Sequence, residues 1–213
     1  MNFDVQGHLD AVDRSVSSLE RDGQDAHAPT LSRSYATTLD DLWDAMTNAD
    51  RIPRWSLPIT GDLELGGRYQ LEGNAGGTIT ACEPLSHIAL TWEFAGDVSW
   101  VDIRFPDEGA GRARLTLTHT SLHSPHWDQY GPGATGVGWE LALLGLALHI
   151  ADPTAPMPDE VEFATSPDGK AIITGSSEAW GQAAVAAGTD PEAAREAAMR
   201  TTAFYTGESA EHA

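Results

Sequence analysis

The sequence predicts an α+β fold, an antiparallel sheet covering one long buried helix, and three features carry that prediction. Thr135 to Ala151 (TGVGWELALLGLALHIA) contains no proline and bears two apolar stripes at helical spacing, Val137, Leu141, Leu144, Leu148 and Trp139, Leu143, Leu146, Ile150. With only Glu140 and His149 interrupting its apolar surface, this helix lacks the polar face of a surface helix and is expected to be covered on two sides. Ile59 to Ser121 consists of short alternating runs and tight turns, the texture of an antiparallel sheet with one covered and one wet face. Behind a proline-punctuated acidic linker, the last fifty residues return to helical spacing.

The elements follow in order. Residues 1 to 8 are expected to fray. Ala11 to Glu20 alternates weakly as a strand and ends at Arg21-Asp22-Gly23-Gln24, a hairpin signal, with Ala26 to Ala36 returning. Thr38 caps a helix with Asp40 and Asp41 in its first turn, where the helix dipole favours acid. Leu39, Leu42, Trp43 and Met46 form its buried face. Asn48 is expected to cap a short helix over Ala49 to Arg54, with Trp55 at its exit.

Strands are expected over Arg68 to Glu72, Thr78 to Glu83, Ile88 to Phe94, Trp100 to Phe105 and Arg114 to Thr120, with a turn from Pro106 to Gly111. Leu122 to Ala134 reads as a loop, because Ser124-Pro125 sits inside it. The long helix comes next. Gly138, Ala142 and Gly145 form a line of small residues on it, where a backbone, an indole or a ligand can approach closely. Glycine inside a helix costs about 1 kcal/mol relative to alanine, so the pattern implies close packing. Ser176 or Ser177 is expected to cap a helix through Ala187. Asp190-Pro191 opens another, running to about Tyr205.

Composition narrows the function classes. A chain of 213 residues can bury a substantial core. Its formal net charge of −20, with Lys170 the only lysine, repels phosphate backbones and anionic lipid, so neither nucleic acid nor membrane is an expected partner. The apolar stretch approaches membrane-span length but has no flanking basic residues, and reads as a core helix. The sole cysteine, Cys82, allows no intrachain disulfide. With no basic segment leading an apolar one at the N-terminus, a cytoplasmic protein is expected, as monomer or homodimer.

Several local patterns, taken in order, resemble a known family. They are Leu39-x-x-Leu42-Trp43-x-Ala45-Met46-Thr47, Ile52-Pro53-x-Trp55, Gly66-Gly67-x-Tyr69, Glu83-Pro84, Leu90-Thr91-Trp92, Arg114-Leu115-Thr116-Leu117-Thr118-His119 and Gly138-Trp139. Together they resemble the START-like superfamily, also called SRPBCC, in its branch homologous to the activator of the heat-shock-protein-90 ATPase. The resemblance covers roughly Thr30 to Ala151. It implies a helix-grip fold, a curved antiparallel sheet wrapped around a long helix. The expected division is therefore a helix-grip domain with its N-terminal hairpin over 1–151, and an acidic linker and helical extension packed on it over 152–213.

The superfamily includes lipid carriers, hormone receptors, polyketide cyclases and chaperone activators, so the fold alone does not choose a function. It implies an apolar cavity between sheet and helix. The wall residues expected here are Trp55, Tyr69, Leu71, Ile79, Trp92, Ile103, Leu117, His119, Trp139 and Leu143, which would equally well fill a solid core. His119, His123 and His126 stand close in sequence, but the intervening Ser124-Pro125 argues against a shared helical face, so no metal is expected. No nucleophile has a local signature; Glu72, Glu83 and Glu93 could serve as acids or bases only if buried, and strand parity sets Glu93 opposite Trp92. Gly73-Asn74-Ala75-Gly76-Gly77 precedes no helix and is a turn rather than a phosphate cradle.

The reading that follows is a binding protein for a hydrophobic or aromatic small molecule, without a cofactor. The alternatives are an enzyme on the same fold, cyclase-like or hydrolytic, with His119 and a tyrosine as acid–base pair, or a chaperone-activator-like interaction module. The last ranks lower because nothing comparable to the preceding domain of eukaryotic activators is seen.

Overall fold

A computed structural model describes residues 3–208. In chain order it contains α1 (Val5–Asp10), β1 (Val12–Arg21), β2 (Gln24–Tyr35), α2 (Leu39–Thr47), a 3-10 turn (Ile52–Arg54), β3 (Ile59–Gly61), β4 (Arg68–Leu71), β5 (Gly76–Glu83), β6 (His87–Phe94), β7 (Asp97–Arg104), β8 (Asp107–Gly109) and β9 (Arg112–Leu122). The helices α3 (Pro125–Tyr130), α4 (Gly133–Ala151), α5 (Glu160–Thr165), α6 (Pro167–Ala186) and α7 (Pro191–Thr206) follow. The nine strands form one sheet in the order β1-β2-β9-β7-β6-β5-β4-β3, with β8 pairing β9. This is the α+β, helix-grip architecture that the sequence implied. The chain forms two compact units, one of Met1–Leu31, Leu122–Leu141 and Pro158–Ala213, the other of Ser32–Ser121 and Ala142–Met157. They are called here the terminal unit and the sheet unit.

In the sheet unit, the Thr38 hydroxyl accepts from the Asp41 N–H and starts α2 as expected, burying Leu42 and Ala45. Asn48 bends the chain by accepting from the Asp50 N–H at 3.0 Å. The helix expected over Ala49 to Arg54 shrinks to the three-residue turn, which has Pro53 at its start. Trp55 then turns inward, donating its indole N–H to the Ala45 carbonyl at 2.9 Å. The strands β4 to β7 and β9 begin up to three residues before the expected positions, and β3 and β8 are additional. On α4, Leu143, Leu144 and Leu146 are buried, and the Tyr35 hydroxyl donates to the Leu143 carbonyl at 3.3 Å. Gly145 admits the Trp55 carbonyl, which an added Cβ would meet at 2.5 Å.

In the terminal unit, Asp22 (φ 53°) and Gly23 (φ 76°) make the two-residue turn between β1 and β2, both in the left-handed region that such a hairpin demands. Residues 1 and 2 lie outside the described residues, but the rest of the segment expected to fray includes the start of α1. The Asp4 carboxylate caps it from the Gly7 N–H, and Phe3 stacks on His8 and meets the edge of Phe163.

The loop expected over Leu122 to Ala134 contains α3. Ser124-Pro125, read as a breaker, is instead a cap followed by proline at the first helical position, where its missing N–H costs nothing. α5 was not anticipated, and α6 starts at the Ser166 cap, ten residues before the expected one. Ser176 and Ser177 are buried inside α6; Ser177 donates to the Ile173 carbonyl four residues back. Asp190-Pro191 opens α7 as expected, the carboxylate accepting from the N–H groups of Glu192 and Ala193.

Within this unit the first half of α4 meets side chains from α6 and α7. Gly136 lies where an added Cβ would run into the ring of the fully buried Trp180, and Gly138 lies under the Tyr205 hydroxyl. Glu140, one of the two polar interruptions of α4, receives a bidentate contact from Arg14 of β1 at 2.6 and 2.7 Å. His149, the other, belongs to the sheet unit and accepts from the Arg51 Nε–H at 3.2 Å.

Candidate functional site

The candidate site is the inner face of the sheet in the sheet unit. Strand alternation sends Ile88, Leu90, Trp92 and Phe94 of β6 to the same side. The register pairs Ile88 with Ile103, Leu90 with Val101 and Trp92 with Ser99, then Ile103 with Leu117 and Val101 with His119. One end of this face is closed: Ile103, Val101, Leu115 and Leu117 are buried. Towards the β6–β7 turn it opens. Ile88 is 8% exposed, Leu90 and Trp92 are half-buried, and Phe94 is 53% exposed. On the neighbouring strands Ser99 and Ser121 are half-buried at the same end.

His119 stands where the closed part of this face gives way to the open part. Its Nε2 lies 2.8 Å from the Ser99 hydroxyl, which itself donates to the Trp92 carbonyl at 3.1 Å. A hydroxyl has one proton to give, so His119 Nε2–H is the donor of the pair. Burial favours the neutral ring, pushing this imidazole down to about 4. The rings of Trp92 and His119 meet edge-on, with centroids 5.9 Å apart.

Tyr69 is buried and stands opposite Gly77 in the β4–β5 register; its hydroxyl reaches the Thr91 carbonyl at 2.8 Å. Gly77 has no room for a side chain, because an added Cβ would run into that carbonyl. Burial drives the Tyr69 phenol far above its usual range, so it keeps its proton.

The expected wall residues are distributed as follows. Trp55, Tyr69, Ile79, Ile103, Leu117, His119 and Leu143 are buried in the sheet unit, and Leu71 and Trp92 are half-buried there. Trp139 is half-buried in the terminal unit. Leu90, Phe94 and Ser99 complete the open end and were not among the expected site residues. The alternation along β6 was the available signal for the first two; Ser99 was missed because β7 was begun at Trp100.

The other polar candidates fall elsewhere. Glu93 lies on the opposite face and pairs with Arg68 at 2.9 Å. His123 meets Asp128 and His27, whereas His126 lies against Tyr130. Among the described residues no three metal-binding side chains come together.

Comparison with known proteins gives a coherent result. A family model described as "Activator of Hsp90 ATPase homolog 1-like protein" matches residues 36–151. The crystal structure of CalU16 from Micromonospora echinospora is 29% identical over 81% of this chain and 98% of that one, with a TM-score of 0.66. The solution NMR structure of CalU16 is 31% identical over 83% and 97%, with a TM-score of 0.70. A conserved protein of unknown function from Enterococcus faecalis, 15% identical over 84% and 95%, shares the fold with a TM-score of 0.59. No curated protein matches the chain.

Proposed function

The chain belongs to the family of Activator of Hsp90 ATPase homolog 1-like proteins, and from that membership we propose that it binds a hydrophobic or aromatic small molecule on the inner face of its sheet. The observation that carries this reading is the gradient along β6. An inward row that would be uniformly covered in a filled core runs from buried Ile88 to half-exposed Phe94. Large apolar side chains left open on one face are what an apolar ligand covers, each buried Å² contributing about 25 cal/mol before the costs of association. The neutral His119–Ser99 pair beside Trp92 supplies the polar contact that orients such a ligand.

The same features argue for binding over acid–base chemistry. A general acid or base works best with a pKa near the operating pH. His119 is displaced downwards to about 4 and Tyr69 upwards, so neither exchanges a proton readily at neutrality.

Tryptophan fluorescence, followed while flat aromatic and long-chain apolar compounds are titrated, tests the proposal. Saturable quenching that is lost in Trp92→Phe supports it. Absence of quenching by every compound, or quenching unchanged in Trp92→Phe, refutes it. Turnover of a bound compound that disappears in His119→Ala, with binding intact, establishes the enzyme reading instead.

A further inference from the structure

A concavity lies wholly within the terminal unit, where α3 meets α6 and α7. It has a volume of about 200 Å³, and Gly133, Gly181, Ala184, Ala194, Ala197 and Ala198 form much of its wall. His123, Trp127, Asp128 and Tyr130 also line it, and Asp128 is the one acidic or basic side chain besides His123 in that lining. We propose that this cavity is a binding site for a small organic ammonium compound, an amine with a short apolar body.

The geometry favours a cation over an anion or a neutral molecule. His123 Nε2 lies 3.1 Å from Asp128 Oδ1, so this nitrogen carries the proton and donates it to the carboxylate. His123 Nδ1 in turn makes a 2.9 Å contact with His27 Nε2. His27 is held in place by stacking flat on Trp127, with centroids 4.0 Å apart and ring planes within 1°. This chain of imidazoles fixes the orientation of Asp128 through one oxygen, and its second oxygen keeps its capacity to accept.

The nearby Arg200 does not neutralise that carboxylate; its guanidinium is turned to the Gln129 carbonyl at 2.6 Å and to Glu196 at 3.3 Å. Two aromatic rings, Trp127 and Tyr130, belong to the lining; His27 covers one face of Trp127, and the rings supply apolar surface with the capacity to attract an organic cation. The formal net charge of −20 raises the local concentration of cations around the whole chain. The small volume limits the ligand, since pockets for drug-sized molecules begin at about 300 Å³.

The test uses the full chain and three probes of equal length, n-butylammonium, n-butanol and butyrate, titrated while backbone amide NMR shifts are recorded. The expected result is saturable shifts of the Tyr130, Ala184 and Ala194 amides with butylammonium, an affinity for butanol lower by about fivefold, and no binding of butyrate. Asp128→Asn, at an exposed position, should bring butylammonium down to the butanol value. Equal binding of all three probes, an unchanged affinity in Asp128→Asn, or shifts confined to residues outside this cavity would overturn the proposal. The residues read out here are separate from Trp92 and His119, so either binding site can fail without the other.

Discussion

Glu140 and His119 are both buried polar side chains in apolar surroundings, one in the terminal unit and the other in the sheet unit, and they are satisfied in opposite ways. Glu140 meets a guanidinium head-on, with Arg14 closing both carboxylate oxygens. His119 meets a serine hydroxyl and is left neutral by burial. Desolvation of a charge is tolerated in the first case because a partner of opposite sign is fixed against it. In the second the charge itself is given up. With His119 neutral, the polar group beside Trp92 carries no formal charge, which suits an apolar ligand. The terminal unit pairs ions at Arg14 and Glu140, and its cavity carries a carboxylate at Asp128.

The largest expected effect comes from breaking the ionic side of this contrast. Glu140→Ala strands Arg14, whose side chain is only 10% exposed, and should cost about 3–5 kcal/mol in denaturant unfolding. A loss under about 1 kcal/mol would show that the pair is solvated and the contrast false.

The neutral side is read by pH. The folded pKa of His119, about 4, lies below the ordinary value of 6.5, so the folded state disfavours the protonated ring. Its contribution is fully present above about pH 6.5 and is lost as pH falls towards 4, on the order of 3 kcal/mol in all. His119→Gln should flatten that part of the stability profile, and an equally steep profile in the variant would assign the acid sensitivity elsewhere.

The glycines of α4 extend the comparison at smaller magnitude. Gly145→Ala pushes a methyl into the fixed Trp55 carbonyl and should cost about 1–3 kcal/mol. Gly138→Ala meets only the end of the Tyr205 side chain, whose hydroxyl donates to Ala134 O at 2.6 Å and can shift. The gain in helix propensity offsets that displacement, so the net change should stay within about 1 kcal/mol. Thermal unfolding of the two variants side by side checks the order; a reversal would mean that the backbone approach at Gly145 is the softer of the two.

The fold was legible wherever one local signal had one physical meaning. Period-two alternation over β4 to β7 and β9 and the Asp22-Gly23 turn left no competing reading. Asp190-Pro191 likewise fixed the start of α7. Ser124-Pro125 misled because proline ends a helix in its interior but opens one at its first position, and the sequence around it carries no apolar periodicity to decide. Ser176 and Ser177 look like caps by residue type, yet a serine can equally sit mid-helix and bond back to a carbonyl, as Ser177 does. The site was partly legible, since alternation aligned Trp92, Leu117 and His119 on one face. What could not be read was the exposure along that row, which depends on where the cover ends rather than on the strand itself. The His27–His123–Asp128 chain brings together residues nearly one hundred positions apart, from patterns with no shared spacing.

The proposed ligand site lies where the inner face opens towards the β6–β7 turn. Amide NMR shifts, mapped during titration with the tightest compound from the fluorescence panel, test this most directly. Perturbations are expected to concentrate on Leu90, Trp92, Phe94, Ser99 and His119, and to weaken together in Trp92→Phe. Perturbations that instead concentrate on α6 and α7, leaving those five amides unmoved, would contradict it.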